Sequence, residues 1–120
     1  MGGIRVRNYI PKFATVTVIV EDHSHPMMKN LGPSFLVENE EWYRYDNSPR
    51  PNVHVLSHAD EATYSSDTTT KMAGNRSVIW PNEHMKARNI YIFMGHLPEL
   101  FQNTALITIF QSAILWAARR

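Results

Sequence analysis

Phe13-Ala14-Thr15-Val16-Thr17-Val18-Ile19-Val20 is the stretch on which the fold turns. It is rich in β-branched residues and alternates Thr with Val, the pattern of a strand with one face more buried than the other. His25-Pro26 closes it, because proline has no ladder donor and biases the residue before it towards extended backbone. Residues 27–33 then read as a loop or short turn.

Working outward, Phe35-Leu36-Val37-Glu38 and Glu41-Trp42-Tyr43-Arg44-Tyr45 read as two short strands. Residues 46–52 are dense in turn formers and read as a loop. Val53-His54-Val55-Leu56-Ser57-His58 resumes an extended, mostly buried pattern. Residues 60–75 hold few large apolar side chains and predict a long surface loop; such loops border sites or are plain insertions. Ser77-Val78-Ile79-Trp80 and residues 89–94 predict a hairpin joined through Pro81-Asn82-Glu83-His84. Gly95-His96-Leu97-Pro98-Glu99 turns the chain into a last helix over 103–118, whose Leu106, Ile109, Phe110, Ala113, Ile114 and Ala117 have the spacing of one buried stripe.

The chain has 120 residues, 43% of them hydrophobic and 19% charged, enough for one core and one domain. Twelve Lys and Arg balance eleven Asp and Glu, and the basic residues are scattered, so no phosphate-tracking stripe forms and nucleic acid is not an expected partner. The absence of cysteine removes disulfides, thiolate metal sites and a thiol nucleophile. The apolar run from Ala105 to Ala118 is broken by Thr108, Gln111 and Ser112 and falls short of the ~20 residues of a membrane span. The N-terminus lacks an apolar signal region, and the working expectation is a cytoplasmic protein with no membrane partner.

Four landmarks in order resemble one family: Asp22-His23-Ser24-His25-Pro26 with Leu31 and Phe35; Glu40-Glu41-Trp42-Tyr43; Gly95-His96 with Phe101; and Ile114-Leu115-Trp116-Ala117. Together they are similar to ThuA-like (trehalose utilisation) domains of the class I glutamine-amidotransferase-like superfamily. The resemblance implies an α/β, partial flavodoxin-like, three-layer fold, β-rich with a C-terminal helix. Such domains are about twice this length, so residues 1–120 are expected to be a single ThuA-like domain lacking its N-terminal strand–helix units. A parallel sheet without its first strands exposes a hydrophobic edge, which predicts a homo-oligomer.

Three residues are candidate catalytic groups. His96 follows a strand through Gly95, and open α/β sheets place ligand sites outside the carboxyl ends of strands, which suits a general acid/base or a ligand; a strand-capping imidazole bonded to backbone is the plain alternative. Class I glutamine amidotransferases, which the resemblance brings in, carry a His-x-Glu beside a cysteine in the corresponding region. Here Glu99 lies three residues beyond His96 and cysteine is absent, which excludes thiol-based amide hydrolysis. Glu41 is the second candidate. In an extended chain Glu40 and Glu41 face opposite sides, so one of them reaches a shared cleft, and the resemblance favours Glu41 as base, sugar-hydroxyl acceptor or metal ligand; a solvated acidic turn is the alternative. His25, on the stiff corner before Pro26, is the third, and its parity with His23 admits a two-histidine divalent-metal pair. Trp42 and Tyr43, with Tyr45, suit stacking on a sugar ring, whereas Trp80 and Trp116 suit the core. His54, His58 and His84 read as surface or core residues.

The resemblance thus implies action on carbohydrate or oxidised-sugar substrates, as in trehalose or other disaccharide use. The alternative is a non-catalytic sugar-binding or interaction module, or an inactive fragment.

Overall fold

The computed structural model describes residues 1–9, 12–64 and 76–119. Its strands in chain order are β1 (Val6–Tyr9), β2 (Ala14–Val20), β3 (Ser34–Glu40), β4 (Tyr43–Tyr45), β5 (Ser57–Ala59), β6 (Ser77–Pro81) and β7 (Ile90–Ile92), followed by helix α1 (Thr104–Ala118). The Thr/Val strand is β2. Val16, Val18 and Val20 are buried while Thr15 is exposed, as the two-residue period requires.

β2 lies within a five-stranded sheet ordered β3-β2-β5-β6-β7, and β1 pairs with β4 in a separate ribbon. Every described pairing is antiparallel, so the expectation of parallel strands is corrected. The predicted hairpin is β6–β7, with Ile79 opposite Ile92 and Trp80 opposite Tyr91. β1 had no apolar alternation to announce it; its strand character comes from pairing with β4. The segment 41–45 forms a strand only from Tyr43, and residues 65–75 of the expected loop lie outside the described residues. The described start of that loop is a 3-10 turn, Glu61–Thr63, capped by Asp60.

The main core joins Val16, Val18, Val37 and Leu56 of the sheet region to Met27, Met28 and the α1 residues Leu106, Ile109 and Ala113. Fully burying one such aliphatic side chain contributes about 1.5–3 kcal/mol. The helix stripe is narrower than its spacing suggested. Ile114 and Leu115 are 69% and 63% exposed and Ala117 is exposed, whereas Phe110 and Trp116 pack against the core. The buried seam therefore runs through 106, 109, 113 and 116 rather than through 114 and 117.

A second cluster, Ile4, Tyr45 and Trp80 with Tyr43, Tyr91 and Phe93 packed on it, connects the β1–β4 ribbon to β6–β7. Trp80 stacks on Phe93 at 5.0 Å between ring centroids, and the Tyr45 hydroxyl donates to the Ser77 carbonyl at 2.8 Å. Asn103 caps α1: its side-chain oxygen accepts from the N–H groups of Ala105 and Leu106, while its amide nitrogen donates to the Leu36 carbonyl at 2.8 Å. Such a cap contributes about 1 kcal/mol and here also moors the helix to β3. Among the described residues no helix is long and apolar enough to cross a membrane.

Candidate functional site

The site begins with an irregularity in β3. Val16 opposes Val37, yet Ala14 opposes Glu40, so β3 carries one residue more than β2 over this interval. This is a β-bulge, and Asn39 occupies it with a left-handed φ of 52°. The Asn39 N–H donates to the Thr15 hydroxyl at 3.2 Å. The extra residue breaks the two-residue alternation. Glu38 and Asn39 are both exposed, and Glu40 turns back to the same interior as Val37.

Glu40 is 0% exposed, a carboxylate with no water to solvate it. Backbone donors replace water. Oε1 accepts the Glu41 N–H at 2.7 Å, Oε2 accepts the Gly95 N–H at 2.5 Å, and the His96 N–H is shared between both oxygens at 3.3 Å. One buried side chain thus clamps the turn after β7 to the end of β3. Gly95 makes that turn possible: its φ is +109°, a conformation that L side chains rarely adopt.

The clamp sets His96 and Glu41 side by side. The His96 Nε2 lies 3.5 Å from a Glu41 carboxylate oxygen, with side chains 42% and 16% exposed. This is longer than a direct hydrogen bond and short enough for an ion pair once the ring is protonated. The His96 ring meets the edge of Phe13 at 5.4 Å. On its other side Glu41 hydrogen-bonds the Tyr43 hydroxyl, and burial, with the negative charge of Glu41, holds the Tyr43 phenol above its ordinary value. Glu40, Tyr43, Phe93, Gly95 and His96 line a cleft of about 310 Å³ beside these groups. His96 and Tyr43 thus stand on the wall of the cleft, and the Glu41 carboxylate lies next to both.

His96, Glu41 and Tyr43 are brought together; Trp42 and His25 are not part of the group. Trp42 is 1% exposed and its indole N–H donates to the Ala14 carbonyl at 2.9 Å, so its ring fills the core and presents no face to a sugar. His25 stands beyond the opposite end of β2, whose seven residues span about 20 Å. There its ring packs 5.1 Å from Trp116 and 6.4 Å from His54, and burial lowers its pKa. That end is a separate polar region. Arg50 grips both carboxylate oxygens of Glu21, His58 joins the same carboxylate at 2.6 Å, and His54 bridges Asp22 and Glu83. His23 turns instead to the Gly32 carbonyl at 3.1 Å. Among the described residues no group of three or more His, Cys, Asp or Glu side chains is arranged to hold a metal.

Glu40 is the residue that strand parity missed. The parity argument allowed only one of Glu40 and Glu41 into the site; the bulge lets both converge on His96, one through the backbone and one through its side chain. A polar Glu-Asn-Glu run at the end of an apolar strand is the available sign of such a bulge.

Fold and site together define an α/β domain, β-rich with a C-terminal helix, in which a histidine past the end of a strand, a carboxylate and a tyrosine are gathered beside a cleft. The sequence profile of the ThuA family, described as trehalose utilisation, matches residues 1–117, and the chain belongs to that family. A ThuA-like protein of Bacteroides uniformis superposes with a TM-score of 0.80 at 26% identity, over 97% of this chain and 48% of that one. A ThuA-like protein of Parabacteroides merdae shares the fold with a TM-score of 0.66 at 20% identity, over 92% of this chain and 40% of that one. The chain spans about half the length of these solved relatives or less. No curated protein matches it.

Proposed function

We propose that this domain acts on carbohydrate or oxidised-sugar substrates, with His96 as the acid/base and Glu41 as its charge partner. The observation that carries the reading is the placement of Glu41 between the His96 imidazole, at 3.5 Å, and the Tyr43 hydroxyl, two residues that line an open cleft. The family description, trehalose utilisation, supports the substrate class. In this scheme His96 takes a proton from a sugar hydroxyl, or from carbon next to a sugar carbonyl. The Glu41 carboxylate stabilises the imidazolium that results, and Tyr43 holds that carboxylate in place. Glu40 positions both reacting residues through their backbone. Tyr43 and Phe93 supply the aromatic part of the wall, the surface on which the apolar face of a sugar packs.

The protein has no thiol, so a cysteine nucleophile plays no part. A bound divalent metal, if it takes His96 and Glu41 as ligands, requires further donors, since among the described residues no group of three or more His, Cys, Asp or Glu is arranged to hold one. A second reading, a sugar-binding module without turnover, is favoured by the 3.5 Å separation of His96 and Glu41, longer than a direct hydrogen bond. A cytoplasmic homo-oligomer remains part of the proposal.

The test is turnover of disaccharides and their keto derivatives, with and without divalent metal, by wild type, His96→Ala and Glu41→Gln. Loss of turnover in both variants supports catalysis. Equal turnover in all three removes the acid/base assignment, and binding of the sugars without turnover by wild type selects the module.

A further inference from the structure

A second hollow is lined by chain neighbours of the cleft residues. Glu38, Asn39, Glu99 and Gln102 rim a groove of about 380 Å³ over Leu97 and Leu100. The groove and the cleft draw on the same two segments: Glu38 and Asn39 with five residues between Leu97 and Asn103 line the groove, and Glu40 with residues 92–96 line the cleft, together with Val6 and Tyr43. His96 and Glu40, which line the cleft, are each next in sequence to a groove residue, Leu97 and Asn39.

The chemistry of this lining is distinctive. Glu38, Asn39, Glu99 and Gln102 engage in no side-chain hydrogen bond or ion pair among the described residues, and the bulge at Asn39 is what puts two neighbouring polar side chains on one side. Asn103, by contrast, is committed to the helix cap and to Leu36. Two free carboxylates accept hydrogen bonds, and two free amides both donate and accept, which matches hydroxyl groups that do the same. Leu97 and the buried Leu100 give the groove an apolar base for the C–H face of a ring. Among the described residues no cation lines the groove to offset the two carboxylates, which selects against anionic ligands.

Resting on the functional reading above, we propose that this groove is a second sugar subsite, and that the substrate is a neutral saccharide of at least two units lying across His96. A sugar acid or sugar phosphate is disfavoured in the groove by Glu38 and Glu99. One unit meets the aromatic wall of the cleft, the other the carboxylate and amide side chains of the groove, and the bond between them passes the imidazole.

The experiment is an amide NMR titration of the isotopically labelled full chain with trehalose, glucose and glucose 6-phosphate, repeated on a Glu99→Ala/Gln102→Ala variant. Both substituted positions are exposed, and an unchanged melting temperature checks that the fold is kept. Trehalose is expected to shift residues 38–39 and 99–102 together with Tyr43 and His96. The double variant is expected to bind it about tenfold more weakly, the equivalent of two lost hydrogen bonds. Glucose 6-phosphate is expected to bind the groove more weakly than glucose does. Shifts at Tyr43 and His96 alone, or unchanged trehalose affinity in the variant, overturn the subsite and leave the cleft reading standing. Shifts in the groove alone overturn both the spanning arrangement and the role of the cleft. No response to trehalose, or tighter groove binding of the phosphate, overturns the proposal.

Discussion

Glu40→Gln is the substitution that probes the site's construction most sharply. The amide keeps the volume of the carboxylate but replaces one acceptor oxygen by a donor. If the nitrogen replaces Oε1, it faces the Glu41 N–H that now bonds at 2.7 Å; if it replaces Oε2, it faces the Gly95 N–H at 2.5 Å. Either orientation leaves a backbone donor opposed to a donor at a residue that is 0% exposed. An unsatisfied buried polar group costs about 1–3 kcal/mol, and the remaining bonds lose their charge assistance, so the total is about 2–4 kcal/mol. For a domain of this size that corresponds to a fall in melting temperature of roughly 8–16 °C. Calorimetry and urea denaturation of wild type and variant measure it. A stability within about 0.5 kcal/mol of wild type would refute the clamp, because the three N–H groups would then not depend on the carboxylate.

Other predictions follow from the same geometry. Gly95→Ala forces an L residue to φ +109°, and should lower stability by about 1–3 kcal/mol in a urea titration through backbone strain alone, since its Cβ would meet Phe101 only at ordinary contact distance. At the other end of β2, burial raises the Glu21 carboxyl but the hydrogen bonds and charges of Arg50 and His58 outweigh it, leaving its pKa below the ordinary 4.5. A depressed acid stabilises the fold above its unfolded pKa and loses that contribution as pH falls through the folded value. Arg50→Ala should therefore cost no more than about 1 kcal/mol at pH 7 and flatten the acid limb of a stability–pH curve below about pH 4.5, as expected for a partly exposed pair. His25, lowered from 6.5 by burial, has a neutral form favoured by the fold; its contribution is whole above pH 6.5 and fades below it, so His25→Gln should remove that part of the slope. Sedimentation should give a mass above 13.9 kDa, reduced by charged substitutions at the exposed Ile114 and Leu115; a monodisperse monomer contradicts self-association.

Much of the fold was legible because its elements carry strong local patterns. β2 announces itself through Val16, Val18 and Val20 alternating with threonine, the β6–β7 hairpin through two apolar runs around a polar connection, and α1 through Leu106, Ile109 and Ala113. Strand direction was not legible, since alternation says which face is buried and nothing about which neighbour pairs. The helix stripe erred at Ile114 and Ala117 because spacing sets a face but not where the underlying layer ends. Within the site, His96 and Glu41 were readable from a Gly-His turn after a strand and an acidic pair. Glu40 was hidden by the bulge at Asn39, where one inserted residue reverses the parity on which the reading relied. Trp42 could not be told from a stacking platform by composition alone; its burial and its bond to Ala14 come from the β2–β3 pairing. His25 could not be separated from His96 without knowing that β2 lies between them.

The most direct measurement of the central claim is the turnover number of His96→Ala relative to wild type on a disaccharide or keto-disaccharide that wild type consumes. Loss of a positioned acid/base predicts a fall of about 10²–10⁴-fold with the fold intact. Turnover within a factor of two of wild type would show that the imidazole beside Glu41 takes no part in the reaction.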